Sequence, residues 1–160
     1  MIVQAVTFYD VVLTVHILAV VVAFGVVFAY PVLDAVLRRS LAGNLAALHE
    51  LHVQIARSVV TPAMVVVLLA GLYLALDRWS LGDPWISATF TILLVLFGLT
   101  GGVLTPADKK LVELAERDHA GGGGPSQEYL AESRKADAFG SLALLLVLVA
   151  IVLMTVKPGA

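Results

Sequence analysis

Apolar residues along this chain gather into four long blocks, and the charged residues fall between them. The blocks run from about Val11 to Leu33, Val59 to Leu76, Ile86 to Leu104 and Phe139 to Val156. Each holds about 18 to 23 residues, enough for an α-helix rising about 1.5 Å per residue to cross about 30 Å of hydrocarbon. None alternates polar with apolar as a half-buried strand would. A backbone in lipid must satisfy its own hydrogen bonds, which leaves helix or a closed barrel. The pattern predicts an all-α fold over residues 1–160: one antiparallel bundle of four transmembrane helices.

The third connection is long and has its own pattern. Thr105-Pro106-Ala107-Asp108 has the form of a helix start, with a capping hydroxyl, proline at the first position and an acid two residues later. Lys109 to His119 then reads as a short polar helix, broken by Gly121 to Gly124 and Pro125. Ser126 can cap the next helix, which runs through Tyr129 into the fourth span. This predicts a helical hairpin between spans three and four, projecting into the cytoplasm. Pro62 inside span two predicts a kink and a freed carbonyl near Ser58. No internal repeat is visible.

Composition sharpens the reading. Of 160 residues, 60% are apolar and 14% charged, with a mean hydropathy of +0.98; soluble domains carry roughly 25% charged residues. The net charge of -2 offers no attraction for nucleic acid. The absence of cysteine excludes disulfides and thiolate sites. The start of the chain, Met1 to Asp10, has no Lys or Arg, so the first block reads as a retained helix rather than a signal peptide. Arg38, Arg39, Arg57, Lys109, Lys110, Arg117, Arg134 and Lys135 lie at the first and third connections, against only Arg78 and Lys157 on the other side. The positive-inside rule makes the first side cytoplasmic, with both termini outside and the bacterial cytoplasmic membrane as the expected location.

Ionisable groups within a span are costly and mark candidate sites. On span one Tyr9, His16, Ala19, Ala23, Val27, Tyr30 and Asp34 share one face at 100° per residue. His16 has two readings: a packing-face histidine bonded to a neighbouring carbonyl or hydroxyl, or a residue that handles a ligand or a proton. On span two Glu50, Arg57, Thr61, Met64, Gly71 and Ala75 share a face on the same wheel. Arg57 reads as an interface arginine that snorkels, or pairs with Asp34 or Glu50. His49 and His52 are close enough along a helix to share a metal ion. No third ligand stands out, with His119 beside a glycine-rich segment, so the pair reads as exposed and no metal site is expected. Gly98 and Gly102 form a small-xxx-small motif for helix packing, within the bundle or against a second copy or a membrane partner.

Haem b is the cofactor these positions would suit. His49 and His52 lie too far from His16 along the bilayer to share its iron. Tyr73, Thr89 and Met154 lie at about its depth, and histidine with methionine is an accepted axial pair. If haem binds, His16 is the main ligand, with Met154 or Tyr73 as the second.

Several segments carry a resemblance: His16-Ile-Leu-Ala19, Val60-Thr61-Pro62-Ala63-Met64 with Gly71-Leu-Tyr-Leu74, Asp83-Pro84-Trp85, and Val156-Lys157-Pro158. Together they resemble a branch of unknown function in the HemJ-type protoporphyrinogen oxidase and copper-resistance CopD-like superfamily of small bacterial membrane proteins. The resemblance implies a haem-capable histidine on the first span, at His16. The HemJ type carries a lysine soon after the tryptophan of span three, where this chain reads Trp85-Ile-Ser-Ala-Thr89. It also carries Arg-x-x-Asn-Glu-x-Pro entering the last span, where this chain reads Arg134-Lys-Ala-Asp137-Ala-Phe-Gly140. Both departures argue against the oxidase activity. Three functions stay open: a haem-binding or redox-linked protein, a small transport or permeation module stepping through His16, Tyr30 and Asp34, and a non-catalytic accessory subunit. Membrane lipid is the expected surrounding partner in each.

Overall fold

The computed structural model describes residues 6–40 and 44–159. Its four apolar blocks are the middles of four longer rods. The first rod is α1 (Phe8–Ser40), 33 residues. The second joins α2 (Leu45–Ile55), a π turn at Ala56–Val60, and α3 (Thr61–Arg78) into 34 continuous residues. The third joins α4 (Pro84–Gly98), a π turn at Leu99–Leu104, and α5 (Thr105–Ala120) into 37. The fourth is α6 (Gln127–Val156), 30 residues. Residues 1–5 of the start that lacks Lys and Arg lie outside the described residues.

These rods are longer than a membrane is thick. At about 1.5 Å per residue the third is about 55 Å long, against about 30 Å of hydrocarbon. The surplus lies at one end, where α2, α5, the last turns of α1 and the first turns of α6 meet; here it is called the extended end. The turn at Trp79–Asp83, the start of α1 and the end of α6 lie at the other, terminal end.

The two ends are held by different forces. In the middle, only 17%, 28%, 22% and 11% of the most apolar stretch of each rod is buried, and Leu18, Leu69, Leu145 and Val152 are among the exposed side chains. A water-soluble bundle would bury these, so the surface is one that lipid solvates. The rods touch through small and branched residues such as Ala19, Ala23, Ala63, Val67, Ala143 and Val147, where close packing rather than the hydrophobic effect drives association. At the extended end Leu111, Leu114, Ala115 and Tyr129 form a separate core. Outside the hydrocarbon, burying a leucine side chain from water stabilises by about 1.5–3 kcal/mol.

Structure and sequence differ at the Thr-Pro steps. Thr105 does not start a separate helix. Its backbone N–H donates to the carbonyl of Thr100, five residues back, and its hydroxyl donates to the same oxygen at 2.7 Å. Thr61 N–H likewise donates to the carbonyl of Ala56. In both places the next residue is proline, which lacks an N–H and would press its ring on the carbonyl four residues back. One extra residue in the turn moves that carbonyl aside, so the helix runs on through Pro62 and Pro106. No hairpin separate from the spans is seen between spans three and four; the polar segments extend the spanning rods themselves. The turn joining them is closed by Ser126, whose hydroxyl accepts from Tyr129 N–H at 3.2 Å, and by Asp118, which accepts from Ser126 N–H at 2.7 Å.

Candidate functional site

Two groups of polar side chains point into the bundle. The first lies at the extended end. On α2, His49 and His52 are three residues apart and face the same way. His49 Nδ1 lies 2.9 Å from Asp108 Oδ1 of α5, and its Nε2 lies 2.8 Å from the Tyr129 hydroxyl of α6. His52 Nε2 lies 2.9 Å from Asp34 Oδ1 of α1, and its Nδ1 lies 3.4 Å from Asp108 Oδ1. All four rods supply the cluster. Tyr30 covers it, its ring centroid 4.7 Å from that of His52. Arg38 closes the α1–α6 side, 3.3 Å from Ser133 Oγ and 3.7 Å from Asp137.

This overturns the expected exposure of the histidine pair: His49 is 2% exposed and the His52 side chain 12%. The third partner that the sequence did not give is Asp108, hidden in what read as a helix start. His52 lies before the second apolar stretch begins, outside the membrane-crossing part. Burial opposes a charge on its imidazole, but hydrogen bonds and charges from Asp108 and Asp34 outweigh that and hold its pKa up, at about 9. The cluster borders a cavity of about 450 Å³ between the rods.

The second group lies at the terminal end, around a cavity of about 500 Å³ with mostly apolar walls. His16 lines it from α1. The Cε1–Nδ1 edge of its ring rests on Gly71 of α3, where a Cβ would stand 3.1 Å from Cε1 and 3.5 Å from Nδ1. Gly71 is what lets the ring lie this close. Nδ1 is buried and makes no hydrogen bond of ordinary geometry among the described residues, although the Val67 carbonyl lies within its electrostatic reach. Trp85 Nε1, in the same wall, is also buried without a partner among the described residues. Lys157, in the left-handed conformation at φ 48°, lines the same cavity, its Nζ 4.7 Å from the Trp79 ring centroid.

The remaining expected positions divide between the two. Met154 and Thr89 line the terminal cavity with His16; Thr89 spends its hydroxyl on the Trp85 carbonyl at 2.7 Å. Tyr73 does not line it. Its ring packs edge-on against Phe8, and its hydroxyl lies 3.5 Å from Asp77. Tyr30 and Asp34 belong to the extended-end cluster. Arg57 and Thr61 are exposed on the outer face of the second rod, and Asp34 is held by His52 instead of Arg57. His119 is exposed at the end of α5 and does not join the cluster. Around Gly98 and Gly102 nothing approaches a built Cβ within 4 Å, so this face packs on no helix of its own chain among the described residues.

Four membrane-length helices with polar clusters turned inward define a polytopic integral membrane protein. Residues 10–158 match the family model described as "Predicted integral membrane protein (DUF2269)", and the chain belongs to that family. No curated protein and no solved structure matches it.

Proposed function

We propose that the protein holds haem b in the terminal-end cavity with His16 as the iron ligand, as a haem-binding or redox-linked member of the HemJ-type and CopD-like superfamily. The observation that carries this is a half-buried imidazole with no side-chain hydrogen-bond partner among the described residues, in the wall of an apolar cavity of about 500 Å³. An idle polar ring is expensive at this depth. With Nδ1 turned onto α3 beside the Val67 carbonyl, Nε2 is the nitrogen left to bind a metal, which is how proteins commonly orient a ligating histidine. Met154 shares the cavity and is the candidate second ligand; Tyr73 lies off it. Lys157 at the mouth suits the acidic edge of a tetrapyrrole. Haem bound here would supply one-electron redox chemistry, tuned by its axial ligands. The chain's own residues orient the ligand and keep water out. The absent span-three lysine and Asn-Glu motif leave oxidase catalysis outside the proposal.

The basic residues at the extended end support an orientation with that end in the cytoplasm, in a bacterial inner membrane, and the His16 cavity in the outer half. Protein purified from haem-supplemented cells should show a reducible Soret band that His16→Ala abolishes. A wild-type band left unchanged by that substitution would remove the assignment.

One observation favours a second reading, a permeation module. Phe24, Leu96 and Val147 line both cavities, so only an apolar layer separates a polar site at one end from His16 at the other. Proton or metal flux into proteoliposomes that Asp34→Asn reduces would support it, and flux equal to empty vesicles would defeat it. The open Gly98 and Gly102 face would suit a second copy or a membrane partner, as an accessory subunit requires.

A further inference from the structure

We infer that His49, His52 and Asp108 form a binding site for a first-row divalent cation such as Zn(II), with an open coordination position facing the extended-end cavity. Three observations independent of the haem reading lead there. First, the ligand atoms converge: two imidazoles and one carboxylate from α2 and α5 lie within 4.8 Å of one another. Tetrahedral bonds of about 2.1 Å set neighbouring ligand atoms about 3.4 Å apart. His52 Nδ1 and Asp108 Oδ1 already stand at 3.4 Å. His49 Nδ1 and Asp108 Oδ1, at 2.9 Å, need to part by only about 0.5 Å to admit an ion.

Second, each histidine is already oriented by an outer partner. His52 turns Nδ1 to the centre and Nε2 to the Asp34 carboxylate. His49 turns Nδ1 to the centre and Nε2 to the Tyr129 hydroxyl. Ligating histidines are commonly held in this way, the far N–H given to a carboxylate or another acceptor so that the near nitrogen keeps its lone pair. A pair serving only to pack would not need both rings fixed with the same atom inward.

Third, the charge suits a dication. Asp34 and Asp108 place two carboxylates in a largely buried setting, where positive charge held between them is favoured. The donor set is nitrogen and oxygen, with no cysteine in the chain, which favours Zn(II), Co(II) or Mn(II) over soft monovalent ions. Three protein ligands leave a fourth position, and the cavity of about 450 Å³ beside the cluster provides room for water or an exchanging ligand there. This is the arrangement of a site that acts on or passes something, as distinct from a closed structural site.

The test uses the full chain in detergent, stripped with chelator and free of haem. Titrated with Co(II), the wild type should bind one ion per chain and show the intense visible bands of four-coordinate cobalt; Zn(II) should erase them. His49→Gln and Asp108→Asn should abolish the bands. Asp34→Asn, which removes only the outer partner, should keep them while weakening affinity about 10- to 100-fold. Far-UV circular dichroism separates loss of the site from loss of the fold, and His16→Ala should leave the bands intact. Wild-type protein that gives only the weak spectrum of hydrated cobalt, or folded His49→Gln that binds as wild type, would overturn the inference. Either result leaves the haem reading of His16 untouched.

Discussion

Gly71→Ala offers the sharpest probe of the His16 site, because its cost should depend on one other side chain. The new Cβ would stand 3.1 Å from His16 Cε1, where carbon atoms prefer about 3.5–4.0 Å. The ring must retreat by about 0.4–0.9 Å or the two helices must part. Overpacking of this kind costs about 1–3 kcal/mol. Against it, alanine is better than glycine inside a helix by about 1 kcal/mol. The single substitution should therefore destabilise by about 0–2 kcal/mol, a small net of two opposed effects. In a His16→Ala background the clash is gone and only the helix preference remains, so Gly71→Ala should stabilise by up to about 1 kcal/mol. The coupling between the sites is then about 1–3 kcal/mol. Reversible unfolding of the four proteins in mixed micelles, followed by circular dichroism, measures it. If the two changes add to within about 0.5 kcal/mol, the ring does not rest on Gly71 and the account of how His16 is held is wrong. A cavity large enough to take the displaced ring lies beside it, so a displaced ligand should also show as an altered Soret maximum in haem-loaded Gly71→Ala.

Other outcomes follow from the same contacts. Tyr129→Phe leaves His49 Nε2 buried without its partner and should destabilise by about 1–3 kcal/mol in the same unfolding assay; no change would mean water replaces the hydroxyl. Asp118 is held below its ordinary value of 3.8 chiefly by accepting from the backbone and hydroxyl of Ser126. Its contribution is therefore complete above about pH 3.8 and lost as pH falls through the lower folded value; hydrogen exchange at Ser126 to Tyr129 should accelerate only in that acidic window, and Asp118→Asn should abolish the step. Phe24→Ala opens the layer shared by the two cavities and should raise proton leak in proteoliposomes; leak equal to the wild type would count against permeation. Pro62→Ala restores an N–H that can bond four residues back and should remove the π turn, weakening Co(II) binding at His49 without loss of helix content.

That last outcome also explains what the sequence could and could not reveal. On α1 the expected inward face was Tyr9, His16, Ala19, Ala23, Val27, Tyr30 and Asp34, and all seven are buried or half-buried in the bundle. The wheel works there because α1 runs without a π turn. On the second rod the same arithmetic put Glu50, Arg57 and Thr61 on one face with Met64, Gly71 and Ala75. The structure splits that set: the first three are exposed, while Met64 and Ala75 are buried and Gly71 meets His16. A π turn inserts one residue and rotates everything beyond it by about 100° relative to an ideal helix. With that slip included, His49, Ala56, Met64 and Gly71 form one inward stripe, and the histidine pair turns from an exposed feature into a buried one. The same device at Leu99–Leu104 disguised Asp108 as a helix-capping acid. Span number was legible because it depends only on composition along the chain; the full rod length was not, since the polar extensions carry no apolar signal. The extended-end cluster was not, because its phase depends on two prolines whose local remedy, one added residue per turn, is a slip that a uniform 100° wheel does not include. On this view Thr61-Pro62 and Thr105-Pro106 do more than tolerate proline within a span. Each sets the angle between a lipid-crossing helix and its extension, and together they aim His49, His52 and Asp108 at one point.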